Sequence, residues 1–249
     1  YTNDKFFLNP EYIYFNKRTY NLKFTDKLVK LLGSKPRSPT SKITQWHCNL
    51  AFEVQRKLEE ITKSLIATYV NKTEIYDVCL VGGIAMNCKM NGEIYKMKEV
   101  NRCFIIPASH DSGCALGSAL AYNKKKYSRS KTYLNNIAYL GSEYTNPQIL
   151  KILKKFKIKK YKELDQNHLL KFAATQIHKN KILGWFQGRA EVGARALGNR
   201  SILANPANKK MKDIINKSVK NRQKFRPFAP AILDIHAKDF FKFKSNGDK

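Results

Sequence analysis

The densest chemistry in this sequence lies between Gly184 and Pro230, where GWFQGRAEVGARALGNRSILANP (Gly184 to Pro206) is followed by FRPFAP (Phe225 to Pro230). Five of the ten arginines, Arg189, Arg195, Arg200, Arg222 and Arg226, fall within 38 residues of a chain that carries 37 lysines. Arginine offers a planar fork of donors that matches phosphate or carboxylate oxygens, whereas lysine offers a point charge. Arg189, Arg195 and Arg200 interleave with Gly184, Gly188, Gly193 and Gly198 at a spacing that suits neither one helix face nor one strand face. The pattern predicts a folded loop in which guanidinium groups and backbone amides converge on a small anion. The alternative is a surface hairpin with solvated arginines, and the clustering of a scarce residue type favours the anion site.

Two shorter segments could also bind ligands. In VGGIAMN (Val81 to Asn87) paired glycines follow an apolar run, which lets a ligand approach the backbone closely ahead of a helix start. Lacking both the GxGxxG spacing and the Walker Lys-Ser/Thr, this pattern alone is more often a tight turn than a nucleotide site. In PASHDSG (Pro107 to Gly113) Asp111 could ligate a metal or cap a helix, and capping is the commoner role. His110 beside it points to the opposite side of an extended segment, which makes it a poor second ligand.

These segments need elements to hold them. Leu50, Val54, Leu58, Ile61, Leu65 and Tyr69 recur every three or four residues and predict a long amphipathic helix from Thr44, its cap, to about Tyr69. DVCLVGG (Asp77 to Gly83) and RCFIIP (Arg102 to Pro107) read as buried strands. IAMNCKMNGEIYK and DSGCALGSALAYN read as the helices that follow them. Strands alternating with helices predict an α/β class with a largely parallel sheet. KKKYSRSKTY (Lys124 to Tyr133) reads as a basic linker, so residues 1–123 and 137–249 are expected to be separate domains around a linker at 124–136. The second domain should hold helices near Pro147–Phe156, Gln166–His178 and Lys209–Ser218 and a strand at Lys181–Phe186.

Composition narrows the function. A length of 249 residues with 43% hydrophobic content can bury real cores and excludes a disordered tail. No apolar run approaches the roughly 18 to 20 residues of a membrane span, and YTNDKFFLNP lacks a signal-peptide layout, so a soluble cytoplasmic protein is expected. Five cysteines, Cys48, Cys79, Cys88, Cys103 and Cys114, contain no CxxC pair and are expected to be buried or half-buried free thiols. A net charge of +28 invites a nucleic-acid-binding module. The lysines are scattered, however, and only KILKKFKIKKYK (Lys151 to Lys162) interleaves charge with aromatics, so a solvated surface is favoured and no specific nucleic acid is expected.

Taken together, VGGIAMNCKMNGEIY, PASHDSGCALGSAL, GWFQGRAEVGARALGNRSILANP and KFRPFAP resemble the carbamoyltransferases of the nodulation and antibiotic-modifying type, over roughly Ile43 to Phe240. The resemblance implies part of an actin-like ATPase domain followed by part of a domain similar to a carbamoyl-adenylate synthase. It implies that carbamoyl phosphate and ATP give carbamoyl-adenylate, and that the carbamoyl group then passes to a hydroxyl of a small molecule or glycan near a divalent metal, commonly iron. Carried over by position, Gly82, Gly83 and Asn87 would line the nucleotide pocket and Asp111 would ligate the metal. Arg189, Arg195, Arg200 and Arg226 would hold carbamoyl phosphate or the adenylate phosphate, with Ser201 as a hydrogen-bonding neighbour; no catalytic residue is assigned.

A transfer-RNA-modifying relative shares the actin-like half, but the GRAEVGARALGNR form resembles the small-molecule branch. The family's HxxxH metal ligands and its Asn-Thr-Ser-Phe-Asn segment have no counterpart here, which predicts a fragment truncated at both ends. Such a fragment should have little activity alone and an uncovered sheet edge, hence poor solubility or association into a homo-oligomer.

Overall fold

A computed structural model of the chain describes residues 5–14, 24–38, 40–127 and 136–243. The chain forms two compact units, one of Tyr1–Leu80 with Asn87–Phe104 and one of Val81–Met86 with Ile105–Lys249. It is mixed α/β, with two small sheets of two strands each among the described residues.

The first unit contains α1 (Asp26–Leu32), α2 (Gln45–Thr73), β1 (Asp77–Leu80), α3 (Cys88–Tyr95) and β2 (Arg102–Ile105), whose last residue crosses into the second unit. Thr44 caps α2 as expected, through a box in which its amide and hydroxyl meet His47 Nδ1 at 3.1 and 2.7 Å. Glu74, in the left-handed region, ends the helix. The buried line along α2 differs from the predicted stripe. Leu58 and Ile66 pack on the core of Met90, Ile94 and Val100, Thr62 lies beside Met90, and Val70 is buried. Val54 and Tyr69 are exposed. The i, i+4 register beginning at Leu58 is the one that meets α3, and sequence periodicity alone admitted a neighbouring register.

The strands β1 and β2 lie side by side, tied at one end by Arg102 donating through Nε to Asp77 Oδ2 at 3.0 Å. Neither is buried on both faces. Val78, Leu80 and Cys103 turn toward the core while Asp77, Cys79, Arg102 and Phe104 are exposed, the alternation of a sheet covered on one side. Four of the five free cysteines, Cys48, Cys79, Cys88 and Cys114, are exposed, against the expectation of buried or half-buried thiols, and Cys103 is half-buried.

The second unit contains α4 (Gly113–Tyr127), α5 (Asn146–Lys155), α6 (Gln166–His178), β3 (Leu183–Phe186), β4 (Arg200–Leu203), α7 (Met211–Ser218) and α8 (Ala237–Phe240). Helix α4 continues through Lys124, Lys125 and Lys126, whose charges complement the negative end of the helix. The rest of the expected linker, residues 128–135, lies outside the described residues. Strands β3 and β4 pair antiparallel, with Leu183 opposite Leu203 and Phe186 opposite Arg200. Residues 187–199 contain no crossover helix, and only an antiparallel return is open to such a connection. Ala173 of α6 and Met211, Ile215 and Asn216 of α7 are buried.

Ile94 is fully buried at the α2–α3 contact. Ile94→Ala should therefore destabilise the first unit by about 2–5 kcal/mol, read as a lower urea midpoint, while Ile75→Ala, at an exposed position, should leave the midpoint unmoved.

Candidate functional site

Three of the sequence segments meet within the second unit, and they meet at the backbone of Pro107, Ala108 and Ser109. The Gly82 amide donates to the Ser109 carbonyl at 2.7 Å, and Gly82 adopts φ +92°, a conformation that residues with side chains rarely take. From the Arg-rich segment, Gly193 approaches so closely that a Cβ there would lie 2.3 Å from the Pro107 carbonyl oxygen, and its φ of +105° excludes an L side chain a second time. A Cβ on Gly113 would lie 2.1 Å from the Ala108 oxygen. Ala108 and Ser109 are buried beneath these contacts, and Ser109 Oγ has no hydrogen-bond partner.

The Arg-rich segment is a hairpin with a long, internally bonded loop. Its organising group is Glu191, which the sequence reading passed over although it is the lone acid between Gly184 and Pro206. Glu191 Oε1 accepts the backbone N–H groups of Leu197 at 2.8 Å, Asn199 at 2.8 Å and Arg200 at 3.0 Å. Partial desolvation raises the carboxyl's pKa, but these three donors outweigh it and bring it down to about 2 from an ordinary 4.5. The predicted convergence of backbone amides is thus present, and the anion they hold is the chain's own.

The arginines of the hairpin face carbonyls. Arg189 donates to the Tyr139 oxygen at 3.2 Å and the Leu140 oxygen at 3.4 Å. Arg200 reaches four carbonyls, those of Gln187 (2.6 Å), Asn199 (3.0 Å), Gly188 (3.1 Å) and Ser142 (3.3 Å), with its guanidinium 3.5 Å from the centre of the Phe186 ring. Residues 138–142 run along the loop, with bonds from Gly141 N to Ala190 O, Ala190 N to Ser142 O and Val192 N to Ala138 O. Tyr139 Oη donates to the Leu197 carbonyl at 2.7 Å. Ser201 Oγ accepts the Gly198 amide at 2.9 Å. Arg195 lies on the exposed stretch 193–197.

Arg226 donates to Gln223 Oε1 at 2.9 Å in the segment after α7. Gly83 opens a 3-10 turn, Gly83–Met86, in the second unit. Asn87 belongs to the first unit, where its Oδ1 caps α3 by accepting the Met90 amide at 3.1 Å and its Nδ2 donates to Gln55 at 2.8 Å. Asp111 is exposed ahead of α4, and its carbonyl accepts the Cys114 amide. His110 is engaged with Ser112, at 3.3 Å from both its amide and its hydroxyl. Among the described residues no group of three His, Cys, Asp or Glu side chains is placed to hold a metal ion, so the donor set a divalent metal needs is not assembled by these residues.

Three segments are thus joined through close glycine approaches, with an arginine hairpin beside them. Comparison with known proteins gives the class. Residues 2–120 match the model described as carbamoyltransferase N-terminus and residues 174–248 that of carbamoyltransferase C-terminus. The chain belongs to the carbamoyltransferase family. It is 34% identical to a protein of Synechocystis sp. over 92% of this chain and 38% of that one. It is 35% identical to nodulation protein NolO of Bradyrhizobium diazoefficiens over 80% of this chain and 36% of the relative. To the 3'-hydroxymethylcephem-O-carbamoyltransferase of Streptomyces clavuligerus it is 30% identical over 60% and 26%. The chain thus spans about a third of the length of these relatives. Among the described residues no helix is long and apolar enough to cross a membrane.

The Glu191 geometry has a signed pH consequence. Its folded pKa, about 2, lies below the ordinary 4.5, so the ionised carboxylate stabilises the loop fully above about pH 4.5 and that contribution is lost as the pH falls toward 2. Hydrogen-exchange protection factors of Leu197, Asn199 and Arg200 should fall across that window, and Glu191→Gln should abolish the dependence. Gly193→Ala, which meets both the Pro107 carbonyl and a positive φ, should lower the thermal midpoint of the second unit and detach the loop, read as lost protection at the same three amides.

Proposed function

We propose that the protein takes part in ATP-dependent O-carbamoyl transfer, in which water cleaves carbamoyl phosphate to carbamate and phosphate, a carbamate oxygen attacks the α-phosphorus of ATP to give carbamoyl-adenylate as pyrophosphate leaves, and the carbamoyl group then passes to a hydroxyl of a small molecule or glycan. In the transfer step the acceptor oxygen bonds to the carbamoyl carbon, the bond from that carbon to the adenylate oxygen breaks, and AMP leaves. The hydroxyl proton passes to a base, which is left unassigned. The observation that carries the reading is the convergence of Gly82, Gly193 and Gly113 on the Pro107–Ser109 backbone in a chain of this family. The name of the cephem O-carbamoyltransferase supports hydroxyl as the acceptor class.

In this reading the exposed Gly82 and Gly83 let a nucleotide approach the backbone closely, since no atom beyond their chain neighbours lies within 4 Å of a Cβ built on either. Asn87, in the first unit, is assigned to the nucleotide by the family resemblance alone. Arg195 is the principal phosphate contact of the hairpin, because the donors of Arg189 and Arg200 are already engaged in holding the loop. Ser201 and Arg226 act as neighbours. Asp111 is one carboxylate ligand of the metal that the family resemblance implies. The described residues supply no further ligands beside it, and no step is routed through that metal.

The test is carbamoyl-phosphate-dependent exchange of labelled pyrophosphate into ATP. Arg195→Lys retains the charge but not the fork, and should lower the exchange rate by roughly 100-fold, the size of effect seen when one transition-state donor is lost, with the thermal midpoint unchanged. Wild-type exchange in Arg195→Lys would remove Arg195 from the site, and exchange that proceeds equally without carbamoyl phosphate would sink the adenylate reading.

A further inference from the structure

The exposed stretch that carries Arg195 is a short bridge, Ala194, Arg195 and Ala196, between two anchored residues. Its first anchor is Gly193, seated against the backbone of Pro107 and Ala108. Its second is Leu197, held on both of its backbone polar groups by side chains. The Leu197 amide donates to Glu191 Oε1 at 2.8 Å, and its carbonyl accepts Tyr139 Oη at 2.7 Å. Glu191 belongs to the loop and also takes the amides of Asn199 and Arg200. Tyr139 stands 58 residues away in sequence, so its hydroxyl tethers the loop from outside.

A tether holds only if its own base is fixed, and the backbone of Tyr139 is fixed on both sides. Its amide donates to the Asn136 carbonyl at 2.8 Å, and its carbonyl accepts Arg189 Nε at 3.2 Å. The strap around it is bonded to the hairpin from Val192 N to Ala138 O at 2.8 Å and from Gly141 N to Ala190 O at 3.0 Å. A Cβ on Gly141 would lie 2.8 Å from the Ala190 carbonyl oxygen. A slip of one residue would bring Leu140 or Ser142, each with a Cβ, to that place, so the close approach fixes the register of the strap. The Tyr139 ring is half-buried, and a phenol has only two side-chain torsions to order.

Arg195 has no comparable support of its own. Among the described residues no side-chain hydrogen bond or ion pair engages its guanidinium, so the backbone that carries it decides where the fork sits. A bridge this short follows its ends. With both ends held few backbone conformations remain, whereas freeing the Leu197 carbonyl lets the peptide group after it rotate and loosens the second anchor. Ordering a contact residue in advance strengthens binding, because less freedom is lost when the ligand arrives.

We propose that Tyr139 is a positioning residue, whose hydroxyl holds the loop so that Arg195 is presented to the phosphate of the substrate. This role rests on the reading in which Arg195 contacts that phosphate.

The test is a double-mutant cycle on the calorimetric affinity for phosphonoacetamide, in which a methylene replaces the bridging oxygen of carbamoyl phosphate, at near-physiological salt. Tyr139→Phe keeps the ring and removes only the hydroxyl. It should weaken binding to the wild-type protein by about threefold to tenfold, the scale of one neutral hydrogen bond. In the Arg195→Lys background it should change nothing, since the hydroxyl acts through the fork that this variant lacks. Hydrogen exchange without ligand gives a second readout: the amides of Leu197 and Gly198 should lose protection in Tyr139→Phe while those of Ala190 and Val192 keep theirs. Equal weakening in both backgrounds marks a general effect on the fold and overturns the role of Tyr139. So does unchanged binding in Tyr139→Phe when Arg195→Lys binds more weakly, and in either case the phosphate contact at Arg195 stands. Unchanged protection at Leu197 and Gly198 overturns the tether as well. Binding that Arg195→Lys leaves unaltered, or no saturable binding, removes the phosphate contact itself and the role of Tyr139 with it.

Discussion

The second unit depends on backbone approaching backbone at Pro107 and Ala108. Where Gly193 and Gly113 stand, a single methyl group would lie 2.3 and 2.1 Å from carbonyl oxygens, closer than any carbon can come. Glycine is therefore required twice by space, and at Gly193 also by its dihedral angle. Because Gly82 bonds the next carbonyl along, at Ser109, segments far apart in sequence are registered against one three-residue stretch with almost no side-chain adjustment available. Contacts of this kind are stiff, as there are no rotamers to absorb an error. That stiffness suits a site that must hold groups in fixed relation.

A second constraint follows from the first. The segment that delivers Gly193 to this contact is a long connection between β3 and β4, and most of its backbone groups lie beyond the reach of the strand ladder. Unpaired polar groups of a half-buried backbone are costly, so they must find partners among side chains. Glu191 answers for three amides and Arg200 for four carbonyls, with Arg189 adding two more on the strap of residues 138–142. An acid and two arginines thus do locally what a third strand does in a sheet. The Arg200 guanidinium, over the Phe186 ring, also closes one side of the hairpin with an aromatic face.

Much of this was legible in sequence. The limits of α6 were read closely, and the cap of α2 followed from Thr44 standing before a run of helical periodicity. The Gly- and Arg-rich segment was recognisable as a folded loop with converging amides. Less legible was which register of α2 is buried, since an apolar residue at Val54 and one at Leu58 look alike until α3 is in place. Antiparallel pairing of β3 and β4 was hidden because a short strand carries no mark of direction. Glu191 and Asn216 were missed for a different reason. Charged and amide side chains are read as ligand contacts or surface, whereas here they complete the backbone's own hydrogen bonding. The usable signal was compositional: a lone acid in an arginine-rich loop, and a polar residue on the buried face of an eight-residue helix otherwise marked by Met211 and Ile215.

The scarcity of arginine in so lysine-rich a chain takes on a specific meaning in this light. Where only charge is needed, this sequence uses lysine. Arg200 reaches four carbonyls and an aromatic face at once, and Arg222 spans a buried amide, a carbonyl and a ring. A rotating ammonium with three donors could not satisfy either set. Arginine therefore marks geometry, and a cluster of arginines by itself does not separate a ligand site from a scaffold, since both require the fork. What separates them is how many donors remain after the protein's own carbonyls are served. On that criterion Arg189 and Arg200 build the hairpin, whereas Arg195 lies on its exposed stretch.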